Sequence, residues 1–255
     1  MILRHTTFAG ATSRGHFDHT GGSCSLERLA LRSTSIISPL RYPGSKRQLR
    51  RFVEETLILN NTVPDLFVEP FAGGASVALH LLSHERVGAI GLADLDPLVA
   101  SFWQVAFFDT AWLIDEILTI PVTLDRWDRF KKGDLASERE RALACLFLNR
   151  TSFSGILASG AGPLGGRRQQ SQYDLGCRFP RETLAERLAV LGSLRDRVAF
   201  VWNTDWYDAL KRISQEVDEG SLPRGVFYYL DPPFFEKAER LYRYYFAPKD
   251  HVLLR

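Results

Sequence analysis

The stretch DLFVEPFAGGASVALHLL, residues 65–82, constrains the fold most strongly. An apolar run leads into two adjacent glycines and then into a helical apolar pattern, which predicts strand, tight turn and helix. GAIGLADLDPLVASFWQV, residues 88–105, repeats the order as a second strand and helix. Consecutive strand–helix units need crossovers, and crossovers give a parallel sheet, so the fold class is α/β. The first strand is apolar and is expected at the centre of that sheet. Further helices are expected at about 46–59, 111–119, 124–131 and 138–149. A capped helix is expected over RETLAERLAVLGSL and another helix over DWYDALKRIS. Strands are expected at 198–203 and 226–230.

The glycine turn and the end of the second strand carry the first chemical suggestion. Gly73 and Gly74 allow backbone angles and close approaches that a Cβ forbids. Asp94 ends the second strand, 21 residues beyond Gly73. An acid at that place accepts the hydroxyls of a ribose, so an adenosine-containing ligand is expected there. Asp96 competes for this role but is better placed to cap the helix that opens at Pro97.

The second suggestion is VFYYLDPPFF, residues 226–235, where an apolar strand runs into Asp231, Pro232, Pro233 and Phe234. Prolines have no N–H, so this segment offers carbonyl acceptors and no competing donors. Asp231 with a proline carbonyl suits the two hydrogens of one amino group, and Phe234 offers a flat face to a planar ring. Two acceptors on the amine of adenine favour a tetrahedral nitrogen with a localised lone pair, able to take a methyl from a sulfonium. A base inside a duplex reaches such a pocket only when flipped out.

The motifs PLRYPGSK, FVEPFAGGAS, LADLDP, FLNRTSFSGI and YLDPPFF follow one another in the order of the Dam-like (D12 class) DNA adenine N6-methyltransferases, which residues 39–255 resemble. The resemblance implies a Rossmann-like sheet that binds S-adenosylmethionine, with double-stranded DNA as substrate. By matching motifs it implies cofactor contacts at Tyr42, Lys46, Glu69, Phe71, Gly73, Gly74, Asp94 and Asp205, with Asp231 adjoining the cofactor. It makes Asp231, Pro232, Pro233 and Phe234 the catalytic motif, with Phe where many relatives have Tyr. Catalytic segments 39–100 and 179–255 are expected to flank a mainly helical DNA-recognition insertion at 101–178. Family members continue past the catalytic motif by one or more strands and helices, so a C-terminally incomplete catalytic domain is expected.

The insertion has chemistry suited to DNA. Arg150, Arg167, Arg168, Arg178 and Arg181 precede Glu182 with Asp174 as the one intervening acid, and Asn149, Gln169, Gln170 and Tyr173 add polar and stacking groups. Residues 41–51 hold five cations and no acid. Phosphate contacts are therefore expected from Arg150, Arg167, Arg168 and Arg178, with Tyr173 beside them.

Composition decides little beyond this. The net charge of +2 neither requires nor excludes nucleic acid. Three scattered cysteines and His5, His16 and His19 show no metal-ligand spacing, so no metal site is expected. No run of 18 apolar residues suggests a membrane span, and no apolar leader segment is evident. A cytoplasmic, DNA-associated monomer of bacterial or phage origin is expected, in a restriction–modification or phage-type system. Residues 1–38 read as a poorly ordered extension with a short helix near Leu26–Leu31. Rival readings are a cytosine N4-methyltransferase, an inactive DNA-binding remnant and, more distantly, a dinucleotide oxidoreductase. The last explains the glycine turn and Asp94 but not DPPF.

Overall fold

The computed structural model describes residues 37–41, 49–234 and 238–254. The short helix expected near Leu26–Leu31 and the start of the helix expected from Lys46 lie outside these residues. In chain order the described elements are α1 (Leu49–Leu59), β1 (Leu66–Glu69), α2 (Ser76–Ser83), β2 (Ala89–Asp94), α3 (Pro97–Phe108), α4 (Thr110–Thr119), α5 (Leu124–Lys132) and α6 (Glu138–Thr151). They continue with α7 (Arg181–Gly192), β3 (Val198–Asn203), α8 (Trp206–Asp218), β4 (Val226–Tyr228), α9 (Ala238–Leu241) and α10 (Pro248–Leu253).

The four strands form one all-parallel sheet in the order β3-β2-β1-β4. β1 lies inside it, as its apolar sequence predicts, and all four of its residues are buried. Alternation along the strands supplies two faces. Phe67, Ile90 and Leu92 enter the large core, with Phe227 and Tyr229 packed against it. Leu66, Val68 and Phe200 enter a smaller cluster closed by Ile213 of α8 and by Leu222. Burying one such side chain contributes roughly 1.5–3 kcal/mol. Gly91 has a steric reason on this smaller face, because a Cβ there would lie 2.3 Å from the Phe200 ring. That ring stacks on Trp202 at 3.7 Å, and the Arg212 guanidinium of α8 lies 3.8 Å from the Trp202 centroid.

The helices of residues 97–151 share the large core with the sheet. α3 is buried along nine of its residues and packs against α6, while α4 packs against α7. The expected boundary at residue 101 thus falls within α3. Irregular structure begins after α6, where the loop from residue 152 is held by an antiparallel bridge between Ser152 and Pro163. Together α3 and α4 are apolar enough to attract attention as a membrane pair, but they are bent by 109° and most of α3 is core. Among the described residues no single helix is long and apolar enough to cross a membrane.

Caps account for several boundaries. Asp96 caps α3, accepting from the Leu98 amide at 2.9 Å with Pro97 next in the chain. Thr123, Ser137 and Asp205 cap α5, α6 and α8 in the same manner. The expected side-chain cap on α7 is absent: Pro180 holds that position and has no acceptor to offer. β4 ends at Tyr228, short of the expected 230, although the Tyr229 amide still donates to the Val68 carbonyl at 2.9 Å.

Candidate active site

A cavity opens at the carboxyl ends of β1, β2 and β4, where an open parallel sheet places its ligands. Three segments build it.

The first is the turn from Glu69 to Ser76. Gly73 has φ 43° and Ala75 has φ 46°, so the turn makes two left-handed steps before α2 begins. Its shape is fixed from several sides. The Ala72 amide donates to the Ala93 carbonyl at 2.9 Å, the Gly73 amide to Asp94 Oδ2 at 2.9 Å, and Trp103 Nε1 to the Gly73 carbonyl at 2.9 Å. Glu69 is buried and accepts from the Ala78 amide of α2 at 2.6 Å. Burial pushes its carboxyl up to about 8 against that hydrogen bond, and the charge of Asp231 adds to the shift.

The second segment is the tip of β2. Asp94 accepts the Gly73 amide on one oxygen and the Asp96 amide on the other, both at 2.9 Å. Burial and the neighbouring Asp96 charge push its carboxyl up to about 7, and the two amides oppose the rise. A carboxylate has about four lone-pair sites, so each oxygen keeps acceptor capacity for a ligand. Asn203 Nδ2 braces the same corner through the carbonyls of Asp94 and Leu95, at 3.0 and 3.1 Å.

The third segment runs from Tyr229 past Asp231, Pro232 and Pro233, which all line the cavity. Phe234 follows, 41% exposed, with its ring 6.3 Å from Tyr242 and tilted 48° to it. Residues 242–246 line the same cavity. Arg243 pairs with Asp96 at 2.9 Å, and Phe246 meets Phe71 edge-on at 5.5 Å.

The structure therefore brings Glu69, Phe71, Gly73, Gly74, Asp94, Asp205, Asp231, Pro232 and Pro233 to one cavity. Asp205 also serves as a cap, accepting from the Asp208 amide at 2.9 Å. Tyr42 and Lys46 lie outside the described residues. Sequence reasoning passed over Trp206 and the stretch from Tyr242 to Phe246. The aromatic run LYRYYF was the available signal, in a segment that carries little other pattern.

The expected DNA-facing residues divide. Arg168, Tyr173 and Arg178 are exposed. Arg167 is also exposed but pairs with Asp128 at 2.7 Å and lies over the Trp127 ring at 5.3 Å. Arg150 requires a correction: it is buried, and its guanidinium donates to the Pro39 carbonyl. Burial, with Arg187 and Arg41 nearby, lowers it to about 10. Its use is to hold the chain at residue 39, so a phosphate contact is not its place. Asn149 acts alongside, accepting from the Arg41 amide at 2.7 Å and donating to the carbonyls of Arg41 and Gly155 at 2.9 Å each. Gln169 is likewise occupied, bonding the carbonyls of Leu164 and Gly166 and the amide of Leu175 within its own loop. Among the described residues no group of His, Cys, Asp and Glu is arranged to hold a metal.

No curated protein matches the chain. A family model does, over residues 42–162, a span that contains the glycine turn, Asp94 and the Asn149–Arg150 pair and ends before Asp231. Residues 42–162 match the family of D12 class N6 adenine-specific DNA methyltransferases.

Proposed function

We propose that the chain transfers a methyl group from S-adenosylmethionine to N6 of an adenine flipped out of double-stranded DNA, with the base held by Asp231, Pro232, Pro233 and Phe234. The observation that carries this is the meeting of two acceptor sets in one cavity: Asp94 beside the glycine turn, and Asp231 beside two prolines.

The donor set fits the cofactor. Asp94 lines the cavity with spare acceptor capacity for two vicinal hydroxyls, and the turn at Gly73 and Gly74 is pinned in place by Asp94 and Trp103. Phe71 and Asp205 complete that end, while Tyr42 and Lys46 are assigned to it by their motif. When bound, S-adenosylmethionine supplies an electrophilic methyl on a sulfonium. Asp231 and a proline carbonyl accept the two amino hydrogens of the base and leave the nitrogen lone pair localised. The Asp231 carboxylate then stabilises positive charge developing on that nitrogen, and Phe234 orients the ring.

The direct experiment is transfer of labelled methyl to unmethylated DNA, followed by digestion to nucleosides. N6-methyladenine supports the proposal. N4-methylcytosine as the sole product would replace it with the cytosine reading, and tight binding of NAD in place of S-adenosylmethionine would remove it altogether.

Two predictions follow from the site. Asp94 binds hydroxyls better as a carboxylate, and its carboxyl titrates at about 7. Affinity for S-adenosylmethionine should therefore be full at pH 8 and fall about tenfold per unit below that titration. Calorimetry across pH 5.5–8.5 checks this, and a flat profile would remove Asp94 from the ribose contact. The same shift bears on the free protein. A folded carboxyl raised above its unfolded value contributes most below the unfolded value, near 4, and that stability is lost as pH rises through about 7.

The exposed Arg168, Tyr173 and Arg178 are proposed to meet DNA. Arg168→Ala should weaken binding to all sequences alike and reduce the slope of log affinity against log salt by about 1. An unchanged slope would move the DNA contact elsewhere.

A further inference from the structure

We propose that Tyr242 is a base-recognition residue of the active site, donating its hydroxyl to N1, the ring nitrogen next to the amino-bearing carbon of the flipped adenine. The inference rests on the function proposed above and adds a third contact to the two acceptors of the catalytic motif.

Placement is the first ground. Tyr242 lies just past α9 and lines the same cavity as Asp231 and Pro232. Its amide donates to the Ala238 carbonyl at 2.9 Å, so the short helix fixes where the side chain starts. The second ground is the angle between the rings. Phe234 and Tyr242 stand 6.3 Å apart and tilted by 48°, which makes a corner and leaves no slot between them. A flat base laid on Phe234 is tilted to the Tyr242 ring and cannot also stack on it, so Tyr242 reaches the base through its hydroxyl.

Charge fixes the direction of the hydrogen bond. Burial and the nearby Asp231 charge push the Tyr242 phenol up to about 12, so it stays protonated at working pH and serves as a donor. The amine gripped by Asp231 has N1 as its nearest ring acceptor. Adenine thus meets acceptor, acceptor and donor in a matching order. Guanine carries N–H at the equivalent ring position and would set donor against donor. Cytosine has an acceptor beside its amine, so the hydroxyl alone does not exclude it.

The test is a cycle between protein and substrate. The adenine methylated by the parent chain is first mapped in unmethylated plasmid DNA. A duplex with that site is then compared with one carrying 1-deazaadenine at the target, using the parent and Tyr242→Phe. The variant keeps the ring and loses only the hydroxyl. On normal DNA it should lose about tenfold in kcat/KM, the size of one net hydrogen bond. On the 1-deaza duplex the two proteins should turn over alike, because the acceptor is gone. Affinity for S-adenosylmethionine should be unchanged. A tenfold loss of the same size on both duplexes, or no loss on either, overturns the assignment, as does a defect confined to cofactor binding. Methyl transfer by the parent to adenine is the separate check on the underlying function, and its failure would remove both.

Discussion

Asp231→Ala is expected to lose methyl transfer by about a thousandfold in kcat, roughly 4 kcal/mol of barrier, while binding S-adenosylmethionine nearly as well as the parent. The size follows from what the carboxylate does in the proposed reaction. It accepts from the amine, fixes the pyramid at nitrogen and faces the charge that develops there. Alanine removes all three, and water filling the gap is not oriented to replace them. The sparing of the cofactor follows from geometry, since the turn is tied to Asp94, Ala93 and Trp103 and none of those bonds involves Asp231. Single-turnover transfer, read beside calorimetric affinity, checks both halves. A parent-like rate would remove Asp231 from the chemistry. A matching loss of affinity would make it a cofactor residue first. A further consequence is visible at Glu69, whose carboxyl is raised in part by the Asp231 charge; it should titrate lower in the variant.

The second large effect is on stability. Asn149→Ala should cost about 3 kcal/mol. Asn149 is fully buried at the end of α6, and its amide makes three hydrogen bonds to backbone groups of Arg41 and Gly155. Truncation leaves those groups unpaired in a dry site. For a chain of this size the loss corresponds to a fall in Tm of roughly 6–12 °C. Thermal unfolding of the variant checks it, and a shift under 2 °C would mean that water repairs the gap. Asp96→Ala would be a poor control, because Asp96 serves both the α3 cap and Arg243.

These two residues show what the sequence could and could not convey. The place of Asp231 at the cavity was legible because an apolar run leading into an acid and two prolines is a local signal. The parallel sheet was legible because glycines and apolar periodicity are local signals, and the capping role of Asp96 followed from Pro97. Asn149 and Arg150 were misjudged as surface groups. A cation counted in a basic stretch looks the same whether it meets solvent or a buried carbonyl. Only the fold reveals that residues 39 and 41 come back across α6, more than a hundred positions away in sequence. Gln169 was obscured in a similar way, by a loop that closes on its own amide. Tyr242 was missed because it belongs to no periodic element and gains its meaning from a neighbour, Phe234, that touches it only in space.

The pairing of β1 with β4 sets residue 66 beside residue 226, whereas β1 and β2 meet across little more than one helix. Closing a long loop is slow and is repaid only by contacts made afterwards. The strand that leads to Asp231 therefore joins a sheet whose first two strands are already a short-range unit. During synthesis, the turn and Asp94 can therefore form before the segment that carries Asp231 has left the ribosome, and the cavity closes only when that segment and residues 242–246 arrive.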